Sequence, residues 1–322
     1  MAHRWDLRSP KPRGLVWPVP VDPSGAHGPT RGRARGPQWR RTGHNLYVPA
    51  HVLPGRVEQR IVEVAARLPP GGLVSGWAAL RMHRVNFCDG LDRGLTQMPV
   101  PVVLPPGANI RPDGVERHRS VVPPTERMVC FGVPCTSPAR ALFDAIVWCG
   151  DLREAVVVAD MAFAARALSR HAFTGYVGSR ASAKGSRFVE EALVLTVERS
   201  RSPMESRMRL IWVLDAKLPR PLCNWPVADG TGVRIGRPDL LCEEVAVVGE
   251  FDGHDHSGAR RRSDDTDKDQ AYRDAGLESF RIVGREIEDA ALVVRRMHAA
   301  VRRAAEAQRP RRWLIRDQPG PL

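Results

Sequence analysis

The chain has 322 residues, 43% of them hydrophobic, which is enough length for two domains with well-buried cores. Its 49 lysines and arginines outnumber its 36 acidic residues, and the net charge of +13 favours a polyanionic partner, with a purely solubilising basic surface as the alternative. The six cysteines form no Cys-x-x-Cys pair, and no apolar run reaches signal-peptide or membrane-spanning length, so we expect a cytoplasmic protein without structural zinc.

Residues 1–45 are rich in proline, glycine and arginine and have few periodic apolar positions, so we expect them to be largely disordered. Flexible arginines can neutralise phosphates, and a tryptophan among them can stack on a base. The candidate nucleic-acid-binding residues of this lead-in are Arg31, Arg33, Arg35, Trp39, Arg40 and Arg41. A basic tail that only aids solubility would have the same composition.

Residues 46–178 are predicted to form a mainly helical α/β region. Apolar spacing and capping residues predict helices over 56–68, after Ser75, after Ser137-Pro138, over 151–166 and after Ser169, with short strands at 100–104 and 114–118. The turn over 69–72 suggests a helix-turn-helix between the first two helices. The polar, glycine-bearing segment 175–185 suggests a domain boundary.

Residues 186–305 show a second pattern, in which helices and strands alternate in a compact order. The predicted helices are 188–197, 202–216, 264–275 and 287–305, and the predicted strands are 222–228, 233–235, 238–242, 245–252 and 277–283. This order indicates an α/β domain with a sheet flanked by helices. The remaining residues, 306–322, are expected to be a tail.

Acidic residues stand at the ends of several of these elements. Glu205 lies in the first turn of a helix, Asp239 begins one strand, and Glu250 and Asp252 end the next. The two strand ends can converge at one edge of a sheet. Carboxylates placed so close are costly unless a cation holds them, and magnesium prefers such oxygen ligands.

Each acid also has a purely structural explanation. Glu205 occupies the third helical position of a capping box and would accept from the Ser202 amide. Asp239, which follows a proline, could start a strand or cap a turn, and Asp252-Gly253 is a common hairpin-turn pair. Glu250 is the hardest to explain in this way, because a carboxylate that ends a buried valine-rich strand needs a partner or a metal ion.

The acids lie in motifs that follow one another along the chain, namely Ser202–Arg207, Gly236–Leu240, Glu250–Gly253 and a helix end with Asp269, Arg273, Asp274 and Gly276. In these motifs the region 186–290 resembles the PD-(D/E)XK nuclease superfamily, and more closely its very-short-patch-repair-like branch of DUF proteins. The resemblance implies a restriction-endonuclease-like fold, a mixed sheet flanked by helices, with a Mg²⁺ or Mn²⁺ site for phosphodiester hydrolysis.

By this resemblance, Asp239 and Glu250 are metal ligands, and Glu205 completes the site directly or through a water. A bound metal would lower the pKa of a water and neutralise charge on the scissile phosphate, which hydrolysis of DNA requires. Arg237, two residues before Asp239, joins the candidate nucleic-acid-binding residues.

One position departs from the superfamily pattern, because Asp252 stands where the motif has lysine. Asp252 could itself bind the metal, since relatives of this branch also carry an acid there. His254 or His256 could take the proton-shuttle role, although such histidines are more often ordinary loop residues than catalysts. Lys268, on the following helix, could fold back to supply the missing cation.

The first region resembles, more loosely, the AbiEi-type antitoxin proteins. The segments that carry this resemblance are Tyr47-Val48-Pro49, the stretch 75–85 and the stretch 132–144. In that family a winged helix is associated with DNA binding and autoregulation. The resemblance therefore implies winged-helix character, DNA as a partner and a toxin protein as a candidate partner.

Two functions therefore compete. The first is a metal-dependent DNA endonuclease, in which Asp239 and Glu250 bind the ion while Glu205 and Asp252 assist. The second is an antitoxin-type DNA-binding regulator whose nuclease-like domain is catalytically inactive, as the missing motif lysine and the arginine-rich lead-in suggest. A scaffold that uses the sheet for protein contacts is a third option.

Overall fold

The computed structural model describes residues 7–93, 95–253 and 259–316. Over these residues the chain is a mixed α/β protein, in agreement with the class that its sequence predicts. No helix in this part of the chain is long and apolar enough to cross a bilayer.

The chain divides into two units, Met1–Val194 and Leu195–Leu322. The division falls later than the polar segment 175–185 in which the sequence suggested a boundary. A hydrogen bond of Arg170 explains why the boundary falls later. The Arg170 guanidinium donates to the Leu193 carbonyl at 3.0 Å and so attaches the helix Ser186–Leu195 to the first unit.

The first unit, where described, holds a two-stranded hairpin and a five-stranded sheet, formed by β1 (Trp39–Gly43), β2 (Leu46–Pro49), β3 (Leu73–Val74), β4 (Val100–Leu104), β5 (Val115–Arg119), β6 (Arg127–Cys130) and β7 (Val133–Thr136). Its helices are α1 (Val57–Ala65), α2 (Gly76–Met82), α3 (Pro138–Cys149), α4 (Leu152–Ala164), α5 (Arg170–Gly178) and α6 (Ser186–Leu195). Strands β1 and β2 form the hairpin, and the sheet order is β5–β4–β3–β7–β6. The pairs β4–β5 and β3–β7 are parallel.

The arginine-rich lead-in is folded where it is described, so the expectation of a largely disordered segment over 1–45 is wrong for these residues. Arg40 in β1 forms a salt bridge of 2.6 Å with Glu63 of α1. Val48 in β2 is fully buried, and Val19 forms a bridge to the same strand. The described part of the lead-in is therefore ordered by ion pairs and strand pairing, which the pattern of apolar residues in the sequence does not show.

Helices α1 and α2 are connected through strand β3, and not by the turn over 69–72 alone. This strand pairs with β4 and β7, which differs from a simple helix-turn-helix. Ser75, at the start of α2, directs its hydroxyl away from that helix. It donates to Asp144 of α3 at 2.7 Å and lies 2.8 Å from the Thr136 hydroxyl of β7. These buried contacts fix α2 against the sheet.

The second unit, where described, contains the strands β8 (Val227–Asp229), β9 (Arg234–Gly236), β10 (Leu240–Cys242), β11 (Val247–Asp252), β12 (Glu278–Val283) and β13 (Trp313–Ile315). Its helices are α7 (Pro203–Leu210), α8 (Ala259–Asp274) and α9 (Ala290–Ala307). One sheet has the order β10–β11–β12, with an antiparallel pair followed by a parallel pair. The other sheet has the order β13–β8–β9 and is antiparallel.

Strand β13 lies within residues 306–322, so the expectation of a tail is wrong for Trp313–Ile315. Trp313 is buried, and the Arg311 guanidinium lies 3.8 Å from its ring. A large apolar ring among arginines gives no periodic pattern, which is why the sequence did not predict a strand here.

The sheet β10–β12 is covered on both faces. One face packs with α7 and α9 in a core where the Trp212 and Phe280 rings stack with their centroids 5.7 Å apart. The other face carries Leu241 and Val248, which pack with Tyr272 of α8. Strand β11 is therefore apolar at successive positions until it approaches its end.

Candidate active site

Asp239 and Glu250 stand opposite each other where β10 begins and β11 ends. The register pairs Leu240 with Gly249, and one step further along the same antiparallel pair sets Asp239 opposite Glu250. The Phe251 backbone N–H donates to Asp239 Oδ2 at 2.7 Å and holds this carboxyl group at the strand end. The structure thus brings together the two acids that the sequence assigned to adjoining strand ends.

Side-chain alternation places Glu250 on one face of the sheet. Leu241 and Val248 pack with Tyr272 of α8. Glu250 lies two residues from Val248, and side chains two apart in a strand share a face, so Glu250 lies on the face that α8 covers. Asp239 directly precedes β10, and its carboxyl group accepts from the Phe251 backbone N–H at the edge of the sheet.

Glu205 joins the cluster from the first turn of α7. Its backbone N–H donates to the N-cap hydroxyl of Ser202 at 3.2 Å. Its carboxylate Oε2 accepts from the Arg201 backbone N–H at 2.8 Å and from the Asn224 side-chain amide at 2.6 Å, in place of the Ser202 amide that the capping-box pattern predicts. The Asn224 backbone N–H donates to the Asp239 carbonyl at 3.4 Å, which links Glu205 to β10.

Burial and neighbouring acids act together on Asp239. Desolvation, followed by the charge of Glu205, raises the pKa of Asp239 to about 8, and Glu250 adds to the rise. The Phe251 N–H and the Lys268 ammonium oppose it. Burial also raises the pKa of Glu205. Acids that hold protons this strongly mark a place where a cation would be stabilising.

Two basic side chains approach Glu250 from different elements. The Lys268 ammonium of α8 donates to Glu250 Oε1, and the Arg281 guanidinium of β12 lies 3.9 Å from Oε2. Arg281 also lies 3.9 Å from Asp252 and 3.7 Å from Asp269. The sequence suggested Lys268 but missed Arg281. Only the parallel register, which pairs Arg281 with Glu250, could have found it.

The missing side chain at Gly236 lets α8 lie close to the acids. A Cβ atom there would lie 2.5 Å from the Tyr272 hydroxyl and 2.6 Å from Lys268 Cε. The Tyr272 hydroxyl is buried and has no hydrogen-bond partner among the described residues. Burial, followed by the charges of Glu250 and Asp239, raises its pKa. Gly236 therefore sets how closely Lys268 approaches Glu250.

Asp252 lies at the open end of β11, with 51% of its side chain exposed. The next element after β11 is α8, and β12 then runs parallel to β11. The hairpin turn considered for Asp252-Gly253 is therefore wrong, because a hairpin would require an antiparallel return. His254 and His256, the candidate proton-transfer residues, lie outside the described residues.

The three acids do not form a closed ligand shell. Glu205, Asp239 and Glu250 do not bring one ligand atom each within 4.8 Å of one another. Mg²⁺ is commonly held by one or two carboxylates with waters as the other ligands. Asp239 and Glu250 suit that role, and Glu205 would act through a water.

The candidate nucleic-acid-binding residues of the lead-in differ in their exposure. The exposed ones are Arg31, Arg33, Arg35 and Arg41, while Trp39 is half-buried. Arg40 is engaged with Glu63 and also donates to the Val52 carbonyl at 3.3 Å. Arg40 therefore stabilises the fold of the hairpin, and its assignment as a phosphate-binding residue stays a prediction.

Arg237 lies in a group of like charges beside the acid cluster. Burial, followed by the charges of Arg201, Arg234 and Arg199, lowers the pKa of Arg237. Its Nε atom is buried without a hydrogen-bond partner among the described residues. The Arg199 guanidinium lies over the Trp225 ring, 3.9 Å from its centroid. A phosphate would relieve the repulsion within this arginine group.

Comparison with known proteins gives no match to this chain among family models, curated proteins or solved structures. The resemblance carried by the motifs around Asp239 and Glu250 therefore stays a hypothesis.

Proposed function

We propose that the second unit is a metal-dependent DNA endonuclease of the PD-(D/E)XK type, in the very-short-patch-repair-like branch. The observation that carries this proposal is the convergence of Asp239 and Glu250 at adjoining strand ends, with Glu205 close enough to raise the pKa of Asp239. The order α7, β8 to β11, α8 and β12 supports a restriction-endonuclease-like fold.

Asp239 and Glu250 would hold a Mg²⁺ or Mn²⁺ ion, with the exposed Asp252 in reach of the same edge of the sheet. Such an ion, when bound, lowers the pKa of a water and neutralises charge on the scissile phosphate. Asp239 must give up the proton that its raised pKa favours before it can act as a ligand. We therefore expect binding of the ion to tighten as the pH rises towards 8.

Lys268 replaces the lysine that the motif lacks at position 252. Its ammonium reaches Glu250 from α8, and Arg281 approaches the same carboxylate from β12. A cation fixed beside a phosphate stabilises the negative charge that develops during hydrolysis. Glu205, whose pKa is raised by burial, is suited to accept a proton from the attacking water.

The arginine group would hold the DNA backbone next to the acids. Arg237 and Arg201 are close in sequence to Asp239 and Glu205 and share their surroundings. Guanidinium groups bind phosphate oxygens through charge-assisted hydrogen bonds. The ring of Trp225, already stacked with Arg199, offers an adjacent aromatic surface.

Cleavage of supercoiled plasmid DNA in Mg²⁺ or Mn²⁺ tests the endonuclease directly. We expect nicking by the unaltered chain and loss of activity in Asp239→Asn and Glu250→Gln, which keep the side-chain shapes but remove the ligand charges. The matched control is Glu244→Gln, because Glu244 is an exposed acid in the β10–β11 turn of the same unit. Equal cutting by all four chains, or none by any, would contradict the proposal.

The alternative is a DNA-binding regulator of the antitoxin type with an inactive nuclease-like unit. It is favoured by Asp252 at the lysine position and by the neutralisation of Glu250 by Lys268. The exposed arginines at 31, 33, 35 and 41 would contribute to binding. The looser resemblance of the first unit to winged-helix antitoxins adds a toxin protein as a second partner in this alternative.

A gel-shift titration separates the two functions. Salt-sensitive binding that prefers the DNA upstream of the protein's own coding sequence, without cleavage in any divalent ion, would support the regulator. Cleavage that the Asp239→Asn change abolishes would reject it in favour of the endonuclease.

A further inference from the structure

A second group of candidate ligands lies in the first unit, away from the carboxylates. His83, Cys130 and Cys135 each offer one atom, and these three atoms lie within 4.8 Å of one another. The Cys130 Sγ atom is 3.5 Å from His83 Nδ1. Cys135 is buried, and the other two residues are half-buried. No other histidine, cysteine or carboxylate of the described residues joins this group.

The fold brings these residues together from distant parts of the chain. Cys130 ends β6 and Cys135 lies in β7, and their antiparallel register pairs Cys130 with Val133 and Met128 with Cys135. Both cysteines therefore project to one face of the hairpin. His83 follows the last residue of α2, a helix that begins directly after the neighbouring strand β3.

The hydrogen bonds of His83 orient its ring towards the thiols. Its Nε2 atom lies 2.8 Å from the Thr136 carbonyl oxygen, which can only accept. Nε2 therefore carries the proton, and the lone pair of Nδ1 faces Cys130. Metal-binding histidines commonly donate their other N–H to a backbone carbonyl in this manner.

Thr136, whose carbonyl oxygen pairs with His83, is held in place by buried hydrogen bonds. The Thr136 hydroxyl lies 2.8 Å from Ser75, and the Ser75 hydroxyl donates to Asp144 at 2.7 Å. Arg140 in turn donates to Asp144 at 2.8 Å. This buried network fixes the carbonyl that sets the imidazole, which is the support that a preorganised ligand needs.

The spacing of the ligand atoms agrees with the geometry of a zinc site. The thiolate is the form in which cysteine binds metals. In a tetrahedral zinc site, bonds of about 2.3 Å to sulfur and about 2.0 Å to nitrogen set the S and N atoms roughly 3.5 Å apart, which the Cys130–His83 pair already matches.

We propose that His83, Cys130 and Cys135 bind one Zn²⁺ ion, or a transition metal of similar softness, through one imidazole nitrogen and two thiolates. The fourth position is left for a water or an added ligand, as in zinc sites with three protein ligands. The ion would join the hairpin β6–β7 to the end of α2. This proposal differs from the expectation of a protein without structural zinc. The sequence did not predict the site because residues 83, 130 and 135 do not have the spacing of a zinc-binding motif.

Cobalt substitution of the full chain tests the site. After removal of metal under reducing conditions, Co²⁺ is added and the visible absorption is recorded. We expect thiolate charge-transfer and tetrahedral ligand-field bands that correspond to one thiolate-bound Co²⁺ per chain, and loss of these bands when Zn²⁺ displaces the Co²⁺. Cys130→Ser should weaken binding by more than about 100-fold, because even partners outside the ligand set cost 10–100-fold.

The matched control is Cys149→Ser, because Cys149 is an exposed thiol of the same unit outside the group. It should leave the spectrum and the affinity unchanged. The unaltered chain alone keeps the test decisive if Cys130→Ser does not fold. A reduced chain that gives no thiolate–cobalt bands would overturn the proposal, as would equal binding by Cys130→Ser and Cys149→Ser. A Cys130–Cys135 disulfide that excludes the metal would also overturn it.

Discussion

At the scale of single residues, Asp239 is the position where burial and charge oppose ionisation most clearly. Its pKa is raised from 3.8 to about 8, with burial as the largest cause and Glu205 as the next. A raised carboxyl pKa means that the folded state keeps the proton more strongly than the unfolded chain. Below about pH 4 the Asp239 carboxyl is protonated in both the folded and the unfolded state. As the pH rises from about 4 through 8, the unfolded chain releases this proton first, so the free energy of unfolding falls.

We expect Asp239→Asn to remove part of this pH dependence. In metal-free protein at pH 8 the variant should melt at a higher temperature than the unaltered chain, by roughly 2–8 °C for each kcal/mol gained, because it has no charge to bury. The difference should shrink at pH 5. Thermal unfolding at both pH values measures it, and an equal loss of stability at both would contradict the raised pKa.

Lys268 offers a second prediction at this scale. We expect Lys268→Met to lower the DNA cleavage rate by about 100-fold or more, because a fixed cation beside the phosphate is lost. Binding of Mn²⁺, measured by calorimetry, should be no weaker, since Glu250 loses a cation that competes for its carboxylate.

The control for Lys268 is Lys217→Met, which alters an exposed lysine of the same unit. It should change neither the cleavage rate nor the affinity for Mn²⁺. Loss of Mn²⁺ binding in Lys268→Met alone would assign Lys268 a purely structural role.

The sequence predicted the acids of the candidate site better than their partners. Asp239 and Glu250 could be anticipated because they end strands joined by a short turn, a feature local in sequence. Arg281 could not, since its place beside Glu250 depends on the register of two parallel strands separated by a helix. Asn224, which donates to Glu205, is likewise brought in by a segment without periodic apolar residues.

At the scale of secondary-structure elements, the close packing of β11 with β12 depends on a glycine. A Cβ atom at Gly249 would overlap the ring of Phe280. That ring is buried and stacks with Trp212 in the core under α7 and α9. The absence of a side chain at this position thus lets the two parallel strands share one apolar layer with the helices.

We expect Gly249→Ala to destabilise the second unit by about 1–3 kcal/mol, because an added methyl group in a packed core displaces its neighbours. Urea unfolding followed by tryptophan fluorescence measures the change. Gly230→Ala is the control, since the nearest atom to a Cβ there is the Arg312 carbonyl oxygen at 3.6 Å, an ordinary contact. Identical midpoints for the two variants would contradict the packing argument.

Elements with strong apolar patterns were predicted well, and those stabilised by polar contacts were not. The valine-rich β11 and the amphipathic α9 lie close to their predicted positions. Strand β1 was missed because its order comes from pairing with β2 and from the Arg40–Glu63 salt bridge, which periodicity cannot show. Strand β13 was missed because it is short and its partner β8 is distant in sequence.

At the scale of the whole molecule, part of the excess of basic residues that gives the net charge of +13 lies beside the candidate site. The arginine group of residues 199, 201, 234 and 237 adjoins the acids of the second unit. Positive charge beside a cluster of half-buried acids suits an enzyme that must attract a polyanion and then hold a divalent ion. The same surplus would also serve a non-catalytic DNA-binding protein.

We expect Arg237→Ala to weaken DNA binding and to reduce the slope of log K against log salt by about 0.9, the value for one lost phosphate contact. Arg302→Ala is the control, because it removes the same charge from an exposed position on α9 of the same unit. Fluorescence anisotropy with a labelled duplex at several salt concentrations measures both slopes. Equal slopes for the two variants would assign the effect to net charge alone.

The antiparallel register of β10 and β11 has a consequence for how this chain tolerates insertions. Residues alternate between the two faces of a strand, so a shift of one residue in the pairing would turn Asp239 and Glu250 towards opposite sides. The length of the turn 243–246 determines the pairing register, because this turn is the whole connection between β10 and β11. Lengthening this turn by a single residue should therefore erase the site while leaving the strand sequences untouched, whereas a two-residue insertion could preserve it.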